Sequence, residues 1–155
     1  MTPAEVQATF AATLVDEWVR CGVRHAVVCP GSRSTPLALA LADRHEIALH
    51  VHHDERSGGF MALGLGLATG RPAVVLTTSG TAAAELHAAV VEADLAAVPL
   101  LACSADRPPE LRDVGAPQAI DQVHLFGRAA RWFGDFGVPD GGSAARWRAF
   151  AARAY

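Results

Sequence analysis

Residues 72–104 read PAVVLTTSGTAAAELHAAVVEADLAAVPLLACS. An apolar run rich in β-branched residues (72–78) gives way at Ser79, Gly80 and Thr81 to an alanine-rich stretch (82–94), and a second apolar run (98–104) follows. Neither run alternates apolar with polar residues, so each reads as a strand covered on both faces, and strands of this kind separated by a helix lie parallel. The same unit occurs twice upstream. HAVVC (25–29) leads through PGSRST into PLALALADR, with Pro36 at a helix start, and IALHVHH (47–53) leads into a helical stretch at 55–69. The chain is therefore predicted to be an α/β domain of three layers, a central, mainly parallel sheet with helices on both faces.

Outward from this centre, Thr2, Pro3 and Glu5 form a capping-box pattern, and Val6, Phe10, Leu14, Trp18 and Cys21 recur at helical spacing before Gly22. An N-terminal helix is predicted there. Beyond Arg107, PPELRDVGAPQAIDQ is proline-rich and polar for so long a connection, which suits a functional loop over a site. A short helix near 120–127 and a weak strand near 130–137 are expected next. PDGGS then precedes AARWRAFAARAY, a helix that runs to Tyr155 without a terminator, as if the chain were cut there. The expectation is one domain spanning 1–155, a fragment of a longer chain.

The bulk numbers narrow the function classes. With 155 residues, 51% hydrophobic and 19% charged, the chain can bury a full core and has apolar surface left for a partner. A net charge of −3 and the absence of lysine leave no basic stripe to follow phosphates, which argues against nucleic acid. The 3 cysteines, Cys21, Cys29 and Cys103, form no C-x-x-C pair and read as small buried hydrophobes in a reducing compartment. No signal-peptide pattern and no apolar run of about 18 residues occur, so a soluble, cytoplasmic protein without a membrane partner is expected.

The loops CPGSRS, HHDERS, TTSGTA and CSADRP follow the strands and should share the edge where open parallel sheets bind ligands. At that edge Asp54 is a natural cap and Glu55 lies in the first helical turn, where negative charge is favoured on purely structural grounds. The helix that follows, GGFMALGLGLA, has no polar face and must be covered all round. Glycines cost a helix roughly 1 kcal/mol each, so Gly58, Gly59, Gly64 and Gly66 suggest close approach of another backbone. Packing against a second subunit would place Glu55 near a boundary, where desolvation would raise its pKa and make it an acid-base candidate. His50, His52 and Asp54 alternate along one strand and could be metal ligands, but three from one strand would be unusual, and a hydrogen-bonded histidine cluster is the simpler reading. The glycine- and hydroxyl-bearing turns PGSRST and TTSGTA can present amides to anions, though neither is a Walker motif. Arg33 and Arg107 sit just past strand ends, and each could be either half of a structural salt bridge or a carboxylate receptor.

Together, CPGSRSTPLALAL, HHDERSGGFMALGLGLATG, TTSGTAAAEL, VVEADLAAVPLLACSADRPPEL and GAPQAIDQ closely resemble the N-terminal pyrimidine-binding domain of thiamine diphosphate enzymes, from about Val6 to Gly137. GSRS, DERS and SADRP resemble in particular the branch that serves menaquinone biosynthesis. The resemblance implies the thiamine diphosphate-binding fold and makes Glu55 the catalytic residue, bonding the pyrimidine nitrogen of the cofactor and promoting deprotonation of its thiazolium carbon. It implies that Pro30, Gly80 and Thr81 join Glu55 around the cofactor, and that Ser32, Arg33, Arg107 and Gln118 bind the acidic substrates 2-oxoglutarate and isochorismate. It also implies a homo-oligomer, dimer or tetramer, through the apolar helices. The diphosphate and Mg2+ are held in that family by a separate C-terminal domain with a G-D-G…N motif, which nothing here matches; PDGGS has the wrong order. No metal ligand is therefore expected in this chain, and the chain alone is expected to be inactive. Two other readings stay open: the pyrimidine domain of a different 2-oxoacid-decarboxylating thiamine enzyme, or a non-catalytic, carboxylate-binding dimeric module.

Overall fold

The computed structural model describes residues 1–155. Four strands, β1 (His25–Val28), β2 (Ala48–Val51), β3 (Ala73–Thr77) and β4 (Leu100–Ser104), form one sheet in the order β2-β1-β3-β4, parallel at every pairing. The helices are α1 (Pro3–Cys21), α2 (Thr35–Ala42), α3 (Glu55–Thr69), α4 (Thr81–Ala84), α5 (His87–Leu95) and α6 (Ala144–Ala154). Ala26, Val28, Val74 and Leu76 face one way, into a core with Leu14, Trp18, Leu41 and Ala151 of α1, α2 and α6. Val27, Ala73 and Val75 face the other, against Ala62 of α3, Leu86, and Val90 of α5. The three layers expected from the unalternating strands are present, and no helix is long and apolar enough to cross a membrane.

Local signals hold where they rest on near neighbours. Thr2 accepts from the Glu5 amide while Glu5 accepts from the Thr2 amide, and Gly22 ends α1 in the left-handed region at φ 117°. The glycines of α3 serve packing: a Cβ on Gly66 would lie 2.7 Å from the Pro99 carbonyl oxygen, so α3 sits directly on the chain entering β4.

Five expectations need correction. The helix drawn over 82–94 is broken at Glu85 and Leu86, where the fully buried Leu86 side chain turns into the core beside Gly59. β2 is not covered on both faces: it is the short edge strand, and Leu49 and Val51 remain exposed. No helix forms over 120–127 and no strand over 130–137. In the latter segment Phe136 packs on Phe10 and Phe150, with ring centroids at 4.8 and 5.1 Å, which draws the chain toward α1 and α6. Of the cysteines, all free, only Cys29 is fully buried.

Asp16 ties together the elements of one helix layer, α1, α6 and the turn after α2. Its carboxylate meets Arg148 of α6 at 2.7 Å, Arg20 at 2.9 Å and Arg44 at 3.0 Å. The bond from Arg148, then that from Arg44, holds the carboxyl at about 2, below its ordinary 3.8. A carboxyl depressed on folding contributes stability that is present above the unfolded value and is lost as pH falls toward the folded one. Urea unfolding should therefore show falling stability as pH drops from 5 toward 2. Asp16→Asn should be less stable by about 1 kcal/mol at neutral pH and lack that part of the slope; identical slopes would remove Asp16 from the account.

Candidate functional site

The strand order creates the crevice. The chain leaves β1 toward β2 on one side and continues from β3 to β4 on the other, so the loops after β1 and β3 part at the carboxyl edge, the usual ligand crevice of an open parallel sheet. They are also in close contact at their bases, where a Cβ on Gly31 would come within 2.5 Å of Thr78 Cβ. Beside this crevice α3 begins. Asp54 has extended backbone and its side chain accepts from the Ser57 amide at 2.7 Å; the Ser57 side chain, then this amide, holds its carboxyl below the usual range. This cap leaves Glu55, half-buried, as the first helical residue. Glu55 lines a polar cavity of roughly 520 Å³ with Asp54, Arg56, Thr78, Thr81, Ala82, Glu85 and Gln118. Beneath it lies Cys29, whose thiol is pushed up to about 11 by burial and by the charges of Glu55 and Asp54. It is a packing residue.

The histidines do not assemble a ligand set. His52 Nδ1 accepts from the Asp54 amide at 3.3 Å, His50 stacks on His25 with ring centroids 5.9 Å apart, and no group of three or more His, Cys, Asp or Glu side chains converges on one point.

The arginines divide. Arg33, on the 3-10 turn Ser32–Ser34, is exposed and pairs with no carboxylate. Arg107 is 8% exposed; its Nε and Nη2 donate to the Pro117 carbonyl at 3.0 and 2.8 Å, and Nη2 reaches Gln118 Oε1 at 3.4 Å. Its Nη1 is buried without a partner. A guanidinium with one edge spent on a carbonyl and another buried nitrogen unspent is suited to an incoming anion, because leaving that donor unpaired costs about 1–3 kcal/mol. Arg112 braces the same loop, pairing with Asp106 at 2.8 Å and Asp135 at 3.2 Å. Pro30, Ser32, Arg33, Glu55, Arg107 and Gln118 all border one extended open space that also runs along α1, α5 and α6. Thr81 joins Glu55 and Gln118 on the smaller cavity, and Gly80 forms the turn behind it.

A family model described as thiamine pyrophosphate enzyme, N-terminal TPP binding domain, matches residues 8–125. The chain belongs to this family. Curated relatives named 2-succinyl-5-enolpyruvyl-6-hydroxy-3-cyclohexene-1-carboxylate synthase include that of Chloroflexus aurantiacus, 57% identical over 136 residues, which are 88% of this chain and 23% of the relative. That of Geobacillus kaustophilus is 55% identical over 137 residues, 88% of this chain and 24% of the relative. That of Thermobifida fusca is 52% identical over 148 residues, 94% of this chain and 27% of the relative. The chain thus spans about a quarter of the length of the curated relatives it matches.

The thiamine-enzyme domain has features that fit the ring end of the cofactor. The Glu55 carboxylate heads a helix that is apolar from Gly58 to Ala68, and the Gly80 turn has room only for backbone: φ is 79°, ψ is −137°, and a Cβ would sit 3.0 Å from the Gln118 Cα, carbonyl carbon and oxygen. The domain has no converging metal-ligand set for a magnesium diphosphate. The residue that sequence reasoning passed over is Gln122, 8% exposed, which accepts from the Gly80 amide and donates to Ser104 Oγ and the Ala105 carbonyl. A glutamine in a polar loop carries no local sign of burial. Gly80→Ala should destabilise the domain by about 1–3 kcal/mol in denaturant unfolding, since it combines a Gly-only backbone with that clash. A neutral effect would mean that the turn yields freely.

Proposed function

We propose that this chain is the pyrimidine-binding half of the site of a thiamine diphosphate-dependent carboligating transferase, the 2-succinyl-5-enolpyruvyl-6-hydroxy-3-cyclohexene-1-carboxylate synthase of menaquinone biosynthesis. The observation that carries the proposal is Glu55 at the head of α3, on a polar cavity shared with Thr78, Thr81 and Gln118, in a chain of this family. When bound, thiamine diphosphate supplies an acidic ring carbon and an electron sink for loss of carbon dioxide from a 2-oxo acid. The Glu55 carboxyl holds the proton at the pyrimidine nitrogen, and Pro30, Gly80 and Thr81 shape the seat of the ring. Arg33 and the spare nitrogen of Arg107, with Ser32 and Gln118, receive the carboxylates of 2-oxoglutarate and isochorismate. The diphosphate and Mg2+ are held by a second, C-terminal domain of the complete protein, which works in the cytoplasm without nucleic-acid or membrane partners.

The remaining cover for Glu55 comes from a second copy of the protein, in a dimer or a tetramer. Phe60 and Leu67 of α3 and Leu95 of α5 are 43, 70 and 77% exposed, and a Cβ on Gly64 between them would meet nothing. Burying this face removes apolar area from water and desolvates Glu55 at the same time. Leu67→Glu in the complete protein should shift sedimentation toward the monomer and lower activity. An unchanged oligomer would place the interface elsewhere.

The direct test is isochorismate consumption in the presence of 2-oxoglutarate, thiamine diphosphate and magnesium, comparing residues 1–155 with the complete protein. Turnover is expected only in the complete protein, and Glu55→Gln should reduce kcat by about 10² to 10⁴. If neither form consumes isochorismate, the substrate pair is wrong. The free Arg33 and half-spent Arg107 would then favour a carboxylate-binding module, in which Arg33→Ala abolishes binding and Glu55→Gln does not.

A further inference from the structure

Gln122 makes contact with none of the groups assigned above to the cofactor ring or the substrates, except through backbone. Its carboxamide is fully used inside the protein: Oε1 accepts from the Gly80 amide at 2.9 Å, while Nε2 donates to Ser104 Oγ at 3.1 Å and to the Ala105 carbonyl at 3.0 Å. One side chain therefore joins the turn after β3, the end of β4 and the returning loop. The turn in question is the one pressed against Gln118, whose carbonyl accepts from Ser79 Oγ at 2.8 Å. Gln118 itself has φ 54°, a left-handed backbone that a non-glycine residue holds only when its surroundings enforce it.

From this geometry we infer that Gln122 is a positioning residue: it sets the Gly80 turn and the backbone of Gln118 so that the Gln118 side chain faces the cavity headed by Glu55. Arg107 cannot do this alone, because it grips the carbonyl of Pro117, one residue before, and reaches Gln118 only at its side-chain oxygen, at 3.4 Å, without a bond to the Gln118 backbone. The chemistry at position 122 is restrictive. An acceptor is needed for an amide and two donor hydrogens are needed for a hydroxyl and a carbonyl, and among residues of this length only glutamine offers both. Glutamate keeps the acceptor for Gly80 and lets the Ser104 hydroxyl turn to donate, but sets a carboxylate against the Ala105 carbonyl. Methionine keeps the length and loses all three bonds.

The inference rests on the functional reading given above for Gln118, and the test separates the two. In the complete protein, amide exchange would be followed at Gly80 and over 113–120, together with kcat and KM for isochorismate, in Gln122→Met, Gln122→Glu, Gln118→Ala and the Gln122→Met/Gln118→Ala double variant. Gln122→Met should exchange about tenfold faster in both segments and raise KM about tenfold with a smaller change in kcat. Gln122→Glu should fall between it and the wild type, and carries the test if the methionine variant does not fold. The double variant should show no larger KM than Gln118→Ala alone, because one residue acts through the other. Unchanged exchange, or KM effects that multiply, would overturn the inference. Absence of turnover in the wild-type protein would instead overturn the functional reading, while the exchange rates still decide whether Gln122 holds the loop.

Discussion

Val27 of β1 and Val75 of β3 are paired in parallel and shut away from solvent, and that pairing makes both strands finish at the same edge of the sheet. Because the chain departs from them toward opposite sides, the loops that follow part and leave a crevice between. Glu55, Thr78 and Gln118 are far apart along the chain and line one cavity for this reason. The tight packing of Gly31 on Thr78 sets how closely the walls of the crevice approach at the base.

Charge is handled differently on the two ends of the molecule. Around Asp16, arginines from three parts of the chain are matched with carboxylates, and the result is structural. At the carboxyl edge the matching is incomplete. Arg112 is paired twice, Arg107 spends itself on a carbonyl and a glutamine, and Arg33 has no partner. The last two are left unmatched at the edge where the Arg107 Nη1 is also buried without a partner. The outer face of α3 is also left open, with Phe60 and Leu67 exposed on either side of Gly64.

Much of this was legible from the residues. The capping box at Thr2 and Glu5, the unalternating runs of β1, β3 and β4, the Asp54 cap and the position of Glu55 in a first helical turn all follow from chemistry within a few residues. The break at Glu85 and Leu86 was not legible, since alanine-rich flanks favour a continuous helix, and nothing local marks Leu86 as the residue that ends up fully buried beside Gly59. The strand expected over 130–137 failed because two of its aromatic residues, Trp132 and Phe136, found partners on α1 and α6, where Phe10 and Phe150 stand. Arg107 was legible as a candidate, whereas its clamp on Pro117 was not.

The sequence by itself determined the kinds of elements, their order, the caps and glycine stops, and which residues would lie just past a strand end. Those are set by steric preferences and hydrogen bonds among near neighbours. Tertiary structure alone decided which loops face each other, that Gln118 takes a left-handed backbone, and that Gln122 is consumed in holding it. Those outcomes depend on groups such as Ser79 and Gln118, 39 residues apart, and a polar atom becomes committed to a partner only once folding has removed the water that would otherwise satisfy it.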